Sequence, residues 1–156
     1  MRILPTLLVP LLVVAHVHAA DIVPTPAMTG HWEGSVRIIV AWCQQTNLAV
    51  VVDIHADGSG TGKVGDATLA GGRFKKNRGW LGHKLNVKTD YLIAGKLQGD
   101  IVASERIRRS SVKMPINFTG GTFTGGLHTS GALIGGKEKM ILSAASLTLQ
   151  RTHSPK

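Results

Sequence analysis

The sequence predicts an all-β fold: an antiparallel up-and-down β-barrel of about eight to ten strands, with a β-sandwich as the alternative. Three observations predict it. Apolar residues alternate with polar ones over successive short segments, the mark of half-buried strands. Glycine is abundant, at 19 of 156 residues, against about 7% in an average chain, and the glycines separate the alternating segments. No stretch carries a convincing apolar 3.6-residue period, so nothing competes as a long helix. Short sequential hairpins favour the barrel, because they need no long crossover and closure removes exposed sheet edges.

In chain order, residues 1–19 read as a secretory signal peptide. Arg2 is the basic start, Ile3 to Val14 is the apolar run, and Val17-His18-Ala19 is the small-x-small cleavage signal. The run is shorter than the roughly 18 apolar residues of a membrane span, and no Cys stands at the cleavage point for a lipid anchor. The expected product is secreted or periplasmic, with cleavage near Ala19 and no membrane span. Residues 20–29, with Pro24 and Pro26, read as an extended leader. A single barrel domain follows over 30–152, with a tail at 153–156.

Within the domain, Trp32, Val36, Ile38, Val40 and Trp42 share one face of the first strand, opposite Glu33, Ser35 and Arg37. A turn near Asn47 leads to Leu48, Val50, Val52 and Ile54, opposite Asp53 and His55. Leu85, Val87 and Thr89 form the next face. Tyr91, Ile93 and Leu97 follow, and then Ile101, Ala103 and Ile107. Val112, Met114, Ile116 and Phe118 make another set, and Met140, Leu142 and Ala144 lead to Leu147 and Leu149. Asp57-Gly58, Gly71-Gly72, Gly99-Asp100 and Gly135-Gly136 carry the hairpin signals. The Phe-Thr-Gly-Gly echo in residues 118–137 predicts a bulged hairpin or tightly curved strands. Ser143–Ser146 admits at most a helical turn.

Chemistry-bearing motifs are sparse. Gly60-Thr-Gly62-Lys-Val-Gly65 fits the spacing of a dinucleotide fingerprint, but no helix opens on it to meet a pyrophosphate. His31, His55, His83, His128 and His153 have no short ligand spacing and no Cys or carboxylate cluster. No metal and no cofactor is expected. His128 and Ser130 share a strand face without a nucleophile elbow, and the acids pair only loosely, as Asp53/Asp57 and Asp100/Glu105. These features argue against an enzyme more than for one; a hydrolase whose site is assembled only by folding is the alternative. Asn117-Phe-Thr119 is a glycosylation acceptor if export passes through an endoplasmic reticulum. Cys43, the single cysteine, reads as a buried small hydrophobe, or as one half of an intermolecular disulfide in a dimer.

Charge is the most informative feature. The net charge is +9, and beyond the signal peptide the whole excess, +8, lies in residues 73–113, where eleven cations face three acids. The two clusters are Arg73, Lys75, Lys76 and Arg78 with Trp80, and Arg106, Arg108 and Arg109. They are the candidate site for an anionic polymer or surface. Only Phe74, Trp80 and Tyr91 accompany these cations, too few aromatics for a stacking platform, which argues against sequence-specific nucleic acid.

The opening Thr29-Gly30-His31-Trp32, with Arg151 on the last strand, resembles the calycin superfamily of lipocalins and avidins. The resemblance covers about ten residues at the two ends, together with chain length and hairpin pattern. It implies a barrel whose base is closed by Trp32, with Arg151 packed across it and Gly30 letting the strand curve. It also raises a small apolar molecule in the barrel mouth as a ligand. The lipocalin disulfide and the aromatic-rich interior of biotin binders have no counterpart here. The expected function is therefore a non-enzymatic binding barrel, its ligand either a small apolar molecule in the lumen or an anionic surface on the basic face. The alternative is an envelope-associated interaction protein or protease-inhibitor-like module.

Overall fold

Antiparallel strand pairing closes the chain into a barrel. The structure is a computed structural model that describes residues 22–38, 43–77, 88–131, 133–134, 137–138 and 142–152. Its strands are β1 (Gly30–Arg37), β2 (Asn47–Ile54), β3 (Ser59–Val64), β4 (Ala67–Lys76), β5 (Tyr91–Gln98) and β6 (Asp100–Val102). They continue as β7 (Ile107–Arg108), β8 (Ser111–Thr119), β9 (Thr122–Ser130), β10 (Leu133–Ile134), β11 (Lys137–Glu138) and β12 (Leu142–Arg151). Eight of them close in the order β1-β12-β9-β8-β5-β4-β3-β2, while β6-β7 and β10-β11 are separate two-stranded hairpins. Among the described residues no helix is long and apolar enough to cross a membrane.

Inward positions follow the alternation. Val36, Leu48, Val50, Val52, Leu69, Phe74, Ile93, Met114, Ile116, Leu127 and Leu149 are all buried. An eight-stranded barrel is just wide enough for such side chains to fill. At the end where β1 starts and β12 stops, Trp32 lies 4.6 Å from Phe123 and 6.0 Å from Phe118, centroid to centroid. Phe74 stacks on Tyr91 at 5.2 Å. The leader lies under this end: Pro26–Met28 forms a turn, Pro24 and Met28 are buried, and the Met28 amide donates to the Thr25 carbonyl at 2.8 Å. Read from sequence as extended, it turns here because burying Met28 under Trp32 removes apolar surface that a straight leader would leave in water.

The opposite end is covered by the β6-β7 hairpin. Ile101 and Val102 are both fully buried, and Ala103–Arg106 forms the turn. The expected common face of Ile101, Ala103 and Ile107 is thus not formed: this piece lies across the barrel end instead of continuing its wall. The Ala103 amide donates to Asp66 Oδ2 at 2.8 Å. The Gln44 and Gln45 amides both donate to the Glu105 carboxylate at 2.9 Å. Cys43 is buried beside this clasp, its thiol donating to the Gln45 carbonyl at 3.3 Å. Burial pushes that thiol's pKa up, which keeps it protonated and a poor nucleophile.

Four further local expectations change. Asn47 is the first residue of β2 and not a turn. Gly71-Gly72 lies inside β4, where the β4-β5 register shifts between Ala70 and Arg73; a bulge absorbs the glycines, and the tight turn falls at Gly65-Asp66. Thr89 is buried but precedes β5 and is not in a strand. Ser143–Ser146 belongs to β12, with a register shift between Ala144 and Leu147. Beyond that shift Leu147 and Leu149 are buried, and a bulge is what moves a strand's pairing by such a step. The first part of the Gly-rich echo, to Ser130, falls in the β8-β9 hairpin, whose turn residues Gly120 and Gly121 have φ of 60° and 78°, as a type I′ turn requires. Val40, Trp42, Leu85, Val87, Met140 and Gly135-Gly136 lie outside the described residues, as do residues 1–21 with the expected cleavage point.

Candidate functional site

The outer wall of β4 and β5 carries the charge. Phe74 points inward, so its neighbours Arg73 and Lys75 point outward; Arg73 pairs with Ala94 across the ladder, and Ala94 with Lys113 of β8. Ala70 pairs with Lys96 in the same way. Small residues therefore stand between long cations. The result is an open depression of about 510 Å³ with Ala70, Gly71, Ala94 and Gly95 in its lining and Arg73, Lys75 and Lys96 at its sides. A second depression of about 360 Å³ shares Lys96 and Gln98 with the first and reaches Arg108 and Ser110. Neither has a carboxylate in its lining.

The two sequence clusters are divided differently by the fold. Arg73, Lys75 and Lys76 are on β4, with Arg73 and Lys76 exposed and Lys75 half-buried. Arg78 and Trp80 lie outside the described residues. Arg106 is exposed in the β6-β7 turn, with φ of 54°. Arg108 is exposed, its side chain 70% accessible, and its Nε approaches Asp100 Oδ1 at 3.3 Å; so open a pair adds about 1 kcal/mol or less. Arg109, expected on the surface, is buried at 6% exposure. It still contributes to the lining of the second depression, between Arg108 and Ser110. Lys96, outside both clusters, is the cation that joins them. Only strand pairing brings it beside Arg73.

At the barrel base, Arg151 is paired with Trp32 in register. Its guanidinium carbon lies 5.1 Å from the indole centroid, a cation–π contact. Arg151 Nη2 also donates to the Ala27 carbonyl at 2.6 Å and the Thr29 carbonyl at 2.7 Å. The Trp32 indole N–H donates to the Met28 carbonyl at 3.0 Å. Gly30 has φ of 116°, and a Cβ there would lie 3.9 Å from the Arg151 guanidinium carbon. One arginine thus ties the last strand to the turn under the first.

A third cluster escaped the sequence reading. His31 Nδ1 lies 2.6 Å from Asp53 Oδ1 and its Nε2 2.9 Å from Glu33 Oε1. Glu33 is two residues away on the same strand, but Asp53 arrives by the β1-β2 register, which places it opposite His31. The hydrogen bond to Asp53 first, and that to Glu33 second, raise the pKa of the imidazole above its ordinary 6.5. A raised folded-state pKa contributes stability that is fully present below the unfolded value and lost as pH rises through the folded one. The expected result is a melting midpoint that falls as pH is raised from below 6.5 through the raised pKa. In Asp53→Asn that pH dependence becomes shallower. Equal slopes for the two proteins would remove His31 as the source.

The remaining acids have separate duties. Asp57 accepts from the Ser59 amide at 2.9 Å and hydroxyl at 2.6 Å, Asp100 meets Arg108, and Glu105 holds the 43–45 loop. His55 contacts the Thr61 hydroxyl at 3.4 Å. His128 and Ser130 are on the outward side of β9, opposite Lys113 and Ser111. His83 and His153 lie outside the described residues, and among the described residues no three His, Cys, Asp or Glu gather into a metal-holding group. Asn117, half-buried, bonds to the chain: its Oδ1 accepts from the Asp90 amide and its Nδ2 donates to the Lys88 carbonyl, both at 2.8 Å. Comparison with protein-family models, curated proteins and solved structures finds no match.

Proposed function

We propose that this protein is an exported, non-enzymatic binding barrel that engages an anionic partner on the outer wall of β4 and β5. The observation that carries this reading is the pair of joined depressions with Arg73, Lys75, Lys96 and Arg108 in their lining and no carboxylate. The large buried side chains Trp32, Phe74, Phe123 and Met114 on the inward face favour the outer wall over the lumen as the binding surface. Closure into eight strands, with Trp32 beneath Arg151, supports a calycin-like barrel in which Gly30, Trp32 and Arg151 are structural residues of the base.

Binding through several exposed cations releases counterions, so affinity falls steeply with salt. Four contacts predict a loss on the order of 10²-fold in affinity for a polyanion between about 50 and 200 mM salt. The measurement is a titration of the folded chain with a fluorescent polyanion at several salt concentrations, repeated for the quadruple variant Arg73→Ala, Lys75→Ala, Lys96→Ala and Arg108→Ala. The salt slope should become shallow in the variant. An affinity independent of salt in the parent protein defeats the reading.

A further inference from the structure

Resting on the anionic reading above, we infer that the partner is a linear sulfated polysaccharide lying in the trough formed by the two depressions. Shape is the first reason. The cations flank the short residues Ala70, Gly71, Ala94 and Gly95, so the charge borders a shallow, open strip. A flat lipid surface reaches only the protruding ends of such side chains, whereas a chain one sugar wide descends between them. Length is the second. From Ala94 to Gln98 the strip follows five residues of β5, four steps or about 13 Å at the rise of a strand, and it continues to Arg108. That calls for an extended ligand with repeated charges and not a single small anion.

Chemistry is the third reason. Arg73 presents a planar fork that matches the oxygens of a sulfate or phosphate, and Arg108 adds a second guanidinium whose Nε also meets Asp100 Oδ1. Lys75 and Lys96 add point charges, and the Gln98 amide and the Ser110 hydroxyl lie along the same path. Neutral donors and acceptors have use for a ligand with hydroxyl groups between its charges. A bare polyphosphate has none. No aromatic side chain lines the trough, so bases would find nothing to stack on.

The test measures binding of a sulfated hexasaccharide, its desulfated counterpart, a linear polyphosphate of matched charge, and vesicles of mixed phosphatidylcholine and phosphatidylserine. Three variants of the full folded chain accompany the parent. Arg73→Ala with Lys96→Ala removes two trough cations; Arg37→Ala with Lys63→Ala removes two exposed cations of β1 and β3; Ala94→Gln fills the floor at constant charge. The expected result is tightest binding of the sulfated hexasaccharide, weakened about tenfold or more by the trough pair, since charge-assisted hydrogen bonds are lost. Ala94→Gln should weaken it severalfold, and the Arg37/Lys63 pair should leave it nearly unchanged. Equal weakening by both cation pairs, with no effect of Ala94→Gln, overturns the trough and leaves the anionic reading standing. Equal or tighter binding of polyphosphate or vesicles overturns the sugar assignment and likewise spares that reading. Failure of every anionic probe to bind overturns both. Circular dichroism of each variant confirms that it folds before binding is compared.

Discussion

Replacing Trp32 by Ala is expected to lower stability by about 3–5 kcal/mol, the range for truncating a fully buried aromatic. Trp32 has no exposed surface, and three kinds of contact are lost together. Its ring packs on Phe123 at 4.6 Å and on Phe118 at 6.0 Å, so truncation leaves a cavity in the aromatic end of the barrel. Its indole N–H satisfies the Met28 carbonyl at 3.0 Å, and that buried group loses its donor. The Arg151 guanidinium, 5.1 Å from the ring centroid, loses the face it covers, which adds about 0.5–2 kcal/mol to the coupling. The melting midpoint should drop by about 10–20 °C for a domain of this size. Trp32→Phe should cost clearly less, because one aromatic ring remains in the core although the N–H and part of the indole bicycle are lost. An unchanged midpoint in Trp32→Ala removes Trp32 from the core and the base closure with it.

Gly34→Ala is the second large effect, and it comes from adding a single methyl group. Gly34 sits in β1 between Leu149 of β12 and Val50 of β2. A Cβ built there would lie 1.9 Å from the Thr148 carbonyl oxygen and 3.1 Å from Leu149 Cδ2. The oxygen belongs to backbone, so relief requires β12 to move, and β12 is held by β9 on its other side. Overpacking of this kind costs about 1–3 kcal/mol and occasionally more; a carbonyl at such a distance puts Gly34→Ala at about 3 kcal/mol or above. The comparison is Ser35→Ala at the neighbouring exposed position, which should stay within about 0.5 kcal/mol of the parent protein. Urea titration of both variants checks the pair. Equal midpoints would mean that β1 and β12 are not pressed together at Gly34.

Much of the barrel was legible because strand alternation is local. Val36 and Ile38, or Val112, Met114 and Ile116, declare an inward face through neighbours two residues away, and all of them are buried. The register shift between Ala144 and Leu147 in β12 is not declared by that local pattern, since it depends on the pairing with β9. The β6-β7 hairpin was misread because its apolar residues serve a barrel end instead of the wall, so Ile101 and Val102 are both buried in succession. A period of two has no power over a segment that buries both faces.

The candidate site was legible only as a quantity of charge. Composition located the excess in residues 73–113, but which of its cations share a surface depends on register. Arg73 and Lys96 are neighbours across the β4-β5 ladder because Arg73 pairs with Ala94. Arg109, beside Arg108 in sequence, is buried. His31 and Asp53 likewise meet through the β1-β2 register. By itself the sequence determined the all-β class, the meander, the inward faces of most strands and the segment that holds the positive charge, because each follows from residues close together along the chain. The tertiary structure alone decided closure at eight strands, the clasp of Glu105, the burial of Arg109 and the trough beside Lys96. Each of these depends on which distant strands pair and in what register, and pairing is set by the packing of the whole barrel at once.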